Sequence, residues 1–159
     1  MRIRVARADE VDLLACIAFE SKSHWNYSPA VMAGWRTSLA VRLDPPERRP
    51  AFVAETDGTV AGFCQLLLED ETPTLEHLWV RPGCMRRGIG RALLERAGAT
   101  LADLGYTRMR IDADPNAEAF YLQCGATRDG VVAAPIAGDP DRVRPQLTLH
   151  LALHAPPSP

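Results

Sequence analysis

Residues His77 to Leu94 read HLWVRPGCMRRGIGRALL: an apolar strand, a Pro-Gly break, two arginines, two glycines one residue apart, and a helix. The first amides of a helix have no internal partner and sit at its positive end, so glycines at that junction let a pyrophosphate come close to the N–H groups. Arg86, Arg87 and Arg91 add charge-assisted donors around it. The spacing rejects two other phosphate turns. Gly83 to Gly88 has the interval of a Walker loop, but Ile89 stands where its lysine belongs. A dinucleotide turn needs a third glycine where Leu93 stands, and a parallel fold upstream in place of the hairpin described next.

Upstream, AFVAETDGTVAGFCQLLLE carries two alternating apolar runs around Asp57-Gly58, a dipeptide that tolerates positive φ and predicts a tight hairpin. TLEHLWV is a third strand, entered after Thr72-Pro73. Near the N-terminus Ile3 and Val5 alternate with charged residues as a strand, and Asp9 followed by Asp12 predicts a helix start that runs to about Ser23. Ser28-Pro29 repeats a start signal; Met32, Trp35, Leu39 and Leu43 share one helical face, and Pro45-Pro46 ends it.

Downstream, Ile89, Leu93, Ala97, Leu101 and Leu104 recur at helical spacing until Gly105. YTRMRID is a strand, Asp114-Pro115 opens the helix NAEAFYLQC, and Gly125 closes it. ATRDGVVA and QLTLHLALH are the last two strands, joined by the proline-rich loop APIAGDPDRVRP, a type of segment that often contacts ligands. Hairpins require antiparallel pairs, while the strand-helix-strand from residue 74 to 112 requires a parallel crossover. The expected fold is therefore α/β of the α+β kind: a mixed, mostly antiparallel sheet of about seven strands flanked by helices.

The chain of 159 residues, 47% hydrophobic, fits a single domain, expected over residues 1–153 with a flexible tail at 154–159. A formal charge of -2 gives no general attraction to nucleic acid or an anionic membrane, and Arg86-Arg87 alone is too local for a nucleic-acid site. No apolar run approaches the ~20 residues of a membrane span, and the N-terminus lacks the apolar core of a signal peptide. Cys16, Cys64, Cys84 and Cys124 lack metal-knuckle spacing and read as buried free thiols of a reducing, cytoplasmic compartment. His150 and His154 could share a strand face, but two imidazoles alone do not make a metal site, so none is expected.

VRPGCMRRGIGRALL resembles the acetyl-coenzyme A signature of the GNAT superfamily of N-acetyltransferases, V-x-P-x-x-[QR]-x-x-G-x-[GA], with Val80, Pro82, Gly88 and Gly90 in place and Met85 where the family has Gln or Arg. NAEAFYLQCGA resembles the family's later helix through Asn116, Ala119, Phe120, Tyr121 and Gly125. The element order agrees from residue 1 to about 153. The resemblance implies acetyl-coenzyme A as cosubstrate, with no metal. It implies pyrophosphate contacts from Met85, Arg86, Arg87, Gly88, Gly90 and Arg91, pantetheine contacts from main-chain groups of Leu78 and Val80, and a cofactor contact from Asn116. It further implies Tyr121 as the acid that protonates the departing thiolate.

The acceptor amine must lose a proton, since an alkyl ammonium of pKa about 10 is only about one part in a thousand free base at pH 7. Glu76 shares a strand face with Leu78 and Val80 and is the candidate base, or else a carboxylate that is merely solvated or salt-bridged; parity places His77 on the other face as a packing residue. SKSHWNYSPAVM is similar to the S-K-x-x-W-G-Y stretch of small bacterial members, with Asn26 replacing the glycine. Trp25 and Tyr27 either line an amine site by cation–π contact or only wedge the two helices together. Arg142 and Arg144 read as exposed arginines rather than holders of an acidic substrate. The resulting expectation is direct acetyl transfer in a ternary complex to a small-molecule or peptide amine, rather than through an acyl-cysteine. The chain would act alone or as a homodimer, and the alternative is a non-catalytic acyl-coenzyme A sensor.

Overall fold

A computed structural model describes residues 1–68 and 71–152. The alternating segments form β1 (Arg2–Val5), β2 (Ala51–Thr56), β3 (Thr59–Leu67), β4 (Thr74–Val80), β5 (Arg108–Asp112), β6 (Thr127–Ala133) and β7 (Val143–His150). The helices are α1 (Val11–Ser23), α2 (Pro29–Gly34), α3 (Ile89–Asp103) and α4 (Glu118–Gln123). The seven strands make one sheet in the order β1-β2-β3-β4-β5-β7-β6. Among the described residues, only β4 and β5 pair in parallel. This is the mixed sheet the sequence predicts. The β2–β3 turn uses positive φ at both Asp57 (52°) and Gly58 (77°), whose twist suits a two-residue hairpin.

Both faces of the sheet are covered. Along β2, Phe52 and Ala54 join Ile89, Leu93, Ala97 and Leu101 of α3, whereas Val53 turns to Leu14, Ile17 and Ala18 of α1. Alternation thus divides one strand between two cores. β3, between them, is buried almost throughout, and its run VAGFCQL is correspondingly apolar on both faces. Phe63 is fully buried in the α1 core, a side chain whose burial contributes about 1.5–3 kcal/mol.

Four local expectations are corrected. Asp9 does not cap α1: a short 3-10 turn over Ala8–Glu10, entered from Arg7, precedes the helix, and it is closed by the Glu10 carboxylate, whose Oε2 accepts the Arg7 amide at 2.7 Å. The Arg4 guanidinium fixes this carboxylate by bonds of 2.6 and 2.9 Å and reaches Glu55 at 2.8 Å, tying β1, β2 and α1 together. Helix α2 stops at Gly34 instead of continuing to Pro45. Gly34 and the β-branched Thr37 are poor helix formers, and the Ser38 hydroxyl donates to the Trp35 carbonyl at 2.9 Å, drawing the backbone into turns. Leu39 and Val41 are nevertheless buried, so apolar spacing marks burial here without a helix. The last strand begins at Val143 and takes in part of the proline-rich loop. Cys16 is exposed, unlike the buried Cys64. The C-terminal tail and His154 lie outside the described residues.

Gly62 lies where β3 meets β4 most tightly, and a Cβ there would sit 2.6 Å from the Trp79 carbonyl oxygen. Both atoms belong to paired strands, so neither can move cheaply. Gly62→Ala is expected to cost about 2–3 kcal/mol, seen as a lower urea midpoint with the slope unchanged. An unaltered midpoint would mean that the strands yield.

Candidate active site

β4 stays with β3, whereas β5 follows β7. The parallel β4/β5 register is confined to Thr74/Arg110 and Leu75/Ile111. β5 continues along β7 to Asp112/Gln146, and the Ala113 amide then donates to the Pro145 carbonyl at 3.0 Å. Past Leu75 the two strands part, and a cleft of about 560 Å³ opens between them. Leu78 and Val80 line one wall; Asn116 and Tyr121 line the other.

The ladder decides which way the β4 backbone points. The Arg81 amide donates to Ala61 at 2.8 Å, and in this register Trp79 and His77 also turn their main-chain groups to β3. Leu78 and Val80, on the alternate positions, direct N–H and C=O into the gap. A bulge at Glu76 interrupts the alternation, because Gln65 faces His77 while Leu66 faces Leu75. Glu76 still lines the cleft, where Arg49 Nη1 holds its Oε2 at 2.5 Å.

At the end of β4 the chain turns into α3. Among the described residues, the amides of Arg86 to Arg91 make no backbone hydrogen bond; Ala92 is the first to bond back, to Gly88 at 3.0 Å. The Met85 amide is already engaged with the Pro82 carbonyl at 3.3 Å, so the unpaired run starts one residue after the signature's atypical position. Arg86 (φ 61°) and Gly88 (φ 81°) both adopt left-handed backbone, which curls these amides toward one side. Met85, Arg86, Gly88, Gly90 and Arg91 line the cleft, whereas Arg87 does not. Gly90 has a packing role as well, since a Cβ there would meet the Phe120 ring at 3.3 Å.

The Tyr121 ring is buried, and burial pushes its phenol above the ordinary range, so the group remains a proton donor at neutral pH. His77 is buried on the α1 side of the sheet, 5.8 Å from the Phe63 ring, and its Nδ1 accepts the Trp79 indole N–H at 3.0 Å. Burial lowers its pKa and keeps it neutral. Cys64 is sealed in the core with its thiol pushed up to about 12 by burial. Neither Cys84 nor Cys124 lines the cleft.

Trp25 and Tyr27 take different directions. Trp25 lines the cleft; Tyr27 packs edge-on against Trp35 at 4.7 Å and belongs to a buried polar cluster. Its centre is Asp114, the residue read from sequence only as a helix start. Lys22 donates to Asp114 Oδ2, and the Tyr27 hydroxyl lies 2.9 Å from the same oxygen. Arg142 joins at 3.4 Å and is buried, correcting its reading as exposed; Arg144 is partly exposed and pairs with Asp112 at 2.9 Å. Burial raises the Asp114 carboxyl, but the Lys22 hydrogen bond and charge, with the Asn116 amide and Tyr27, outweigh it and hold the pKa below the usual value. Burial depresses Lys22, opposed by Asp114. Lys22 and Tyr27 stand in the quoted SKSHWNY segment, but nothing in sequence joins them to Asp114 or Arg142, which are distant along the chain. Asn26 at φ 59° shows why the related stretch has glycine: the position is left-handed.

A model of the Acetyltransferase (GNAT) family matches residues 12–126, most of the chain, which therefore belongs to this family and is an acyltransferase by class. Among solved structures, the chain is similar to a GCN5-related N-acetyltransferase from Rhodopseudomonas palustris (TM-score 0.75, 19% identity, 94% of this chain and 95% of that one). It is also similar to the ribosomal-protein-S18-alanine N-acetyltransferase of Escherichia coli (TM-score 0.71, 19% identity, 99% and 97%). The PaiA N-acetyltransferase of Thermoplasma acidophilum, solved with coenzyme A, gives a TM-score of 0.69 at 18% identity over 94% and 99% of the two chains. At these identities the likeness establishes the fold. No curated protein matches the chain. Among the described residues no helix is long and apolar enough to cross a membrane.

The depressed His77 pKa has a thermal consequence. Below about pH 6.5 the unfolded chain binds a proton at this residue that the folded chain refuses, so stability is lost as pH falls through that range. Melting temperature should drop from pH 7 to 5, and His77→Gln should flatten that part of the curve. An equal drop in the variant would place the sensitivity elsewhere.

Proposed function

We propose that the chain transfers an acetyl group from acetyl-coenzyme A to a primary amine by direct attack within a ternary complex. The observation that carries this reading is the row of unpaired backbone groups that two stretches bring to the cleft, Leu78 and Val80 of β4 and the amides of Arg86, Gly88, Gly90 and Arg91. That row matches a ligand with amides at one end and a pyrophosphate at the other. The free amides of Arg86, Gly88 and Gly90, with the Arg86 and Arg91 side chains, would hold the pyrophosphate. Leu78, Val80 and Asn116 would hold the pantetheine arm. Arg87, outside the cleft, is left as a long-range charge, and Met85 as an apolar wall.

In such a complex the thioester supplies the activated acyl carbon. Tyr121, kept protonated by burial, would donate to the leaving sulfur. Glu76 would receive the amine proton directly or through water, with Arg49 fixing its orientation. His77 is on the wrong side of the sheet for this task. Trp25 would contact the acceptor, whereas Tyr27 acts as scaffold. Relatives in fold are named for acting on a ribosomal-protein alanine and on aminoglycosides, so peptide amines and amino sugars belong in the first acceptor panel. The absence of any cysteine lining the cleft favours direct transfer over an acyl-cysteine route. A reducing cytoplasm suits the four free cysteines.

The test is free-thiol release from acetyl-coenzyme A across a panel of amines. Release is expected with at least one acceptor, and Tyr121→Phe should lower kcat about 10²-fold with little change in the KM for acetyl-coenzyme A. Unchanged turnover would remove Tyr121 from proton transfer. Tight coenzyme binding without thiol release for any amine would favour the sensor reading.

A further inference from the structure

Of the 18 basic residues, Lys22 is the only lysine, and it is buried. Its ammonium lies 4.3 Å from the Trp35 ring centroid and 5.2 Å from that of Tyr27, and the Arg142 guanidinium approaches the same two rings at 5.2 and 5.4 Å. Two cations thus face one carboxylate, Asp114, and the two aromatic faces take up the excess positive charge. An ammonium fits this position as a compact charge with three freely directed donors, which a planar guanidinium does not provide.

The Asp114 carboxylate is saturated. Oδ2 accepts from Lys22, Tyr27 and Arg142, and Oδ1 accepts the Asn116 amide at 2.9 Å and the Asn116 side-chain Nδ2 at 2.8 Å. Asp114 lines the cleft, but no lone pair of its carboxylate is left for a substrate, so the carboxylate is not a base. What it does is orient Asn116. The other Asn116 Nδ2 hydrogen goes to the Tyr27 hydroxyl at 3.2 Å, so both amide hydrogens are used. Flipping the amide would set its oxygen against the Asp114 carboxylate. Asn116 lines the cleft, and its Oδ1 is the polar atom of that side chain left for a ligand.

We infer that Lys22 and Arg142 are positioning residues for the acyl donor: by holding Asp114 and Tyr27 they lock Asn116 with its carbonyl oxygen, not its amino group, presented to a ligand N–H in the cleft. This rests on the reading of the cleft as the acetyl-coenzyme A site and adds which face of the amide binds and what fixes it. The lock joins α1, the α1–α2 connection, the turn after β5 and the residue before β7, so the donor site and the acceptor-side loops are set by one carboxylate.

The experiment is a double-mutant cycle on coenzyme A affinity and acetyl-coenzyme A kinetics in the full chain. Lys22→Met and Asn116→Ala should each weaken coenzyme A binding about tenfold and raise KM with kcat at saturation preserved, as expected for one lost hydrogen bond. The double variant should be no weaker than Asn116→Ala alone, because both changes remove the same contact. Additive losses, or Lys22→Met with wild-type affinity, overturn the inference. Tyr27→Phe, which keeps the ring, provides a milder probe should Lys22→Met not fold. It should cost about threefold in the wild-type background and nothing in Asn116→Ala; an equal loss in both overturns the inference. A wild-type chain that does not bind coenzyme A would instead defeat the underlying reading of the cleft.

Discussion

The parting of β4 from β5 after two residue pairs is the constraint on which the rest of the structure depends. Each strand has a better partner on its other side: β4 runs the length of β3, and β5 keeps its register with β7. A sheet that opens in its middle exposes main-chain donors and acceptors that would ordinarily be paired. The opening is tolerable only if the exposed edge meets water or a ligand with matching groups. The exposed edge of β4 and the unpaired amides at the start of α3 border the same cleft.

The cleft also has to be kept at a constant width, since the two strands no longer hold one another. α3 and α4 close the lower side, with Gly90 letting the Phe120 ring approach. On the upper side the Asp114 cluster connects α1 to the turn after β5 and to the approach to β7. Apolar packing alone would be a poor spacer at this point, because it is non-directional, whereas a carboxylate with five donors fixes angles as well as distances. Such a buried charge network adds little net stability but penalises alternative arrangements strongly.

Electrostatics divides the titratable side chains by role. Burial keeps Tyr121 protonated and keeps His77 neutral. The same desolvation acts on Asp114, but its partners reverse the outcome. One physical effect thus gives opposite protonation behaviour according to which partners each side chain has.

Local signals in the sequence were enough for the strands, the Asp57-Gly58 hairpin, the α3 periodicity and the glycine-arginine turn, because each depends on neighbours within a few residues. The family followed from two short motifs, one built on the left-handed backbone at Gly88 and the close packing at Gly90, the other on the helix that holds Phe120 and Tyr121. Where the sequence misled, a non-local partner or an irregular backbone prevailed: Glu10 displaced Asp9 because Arg4 and Arg7 converge on it, and the segment after Gly34 buried its apolar residues without a helix. Glu76 lines the cleft with Leu78 and Val80, as alternation predicts, although the accompanying bulge in β4 is not visible in that pattern. The Lys22, Tyr27, Asp114 and Arg142 cluster was invisible for a simpler reason, since its members lie up to 120 positions apart (22 to 142) and only the closing of the sheet and loops brings their charges within hydrogen-bond reach.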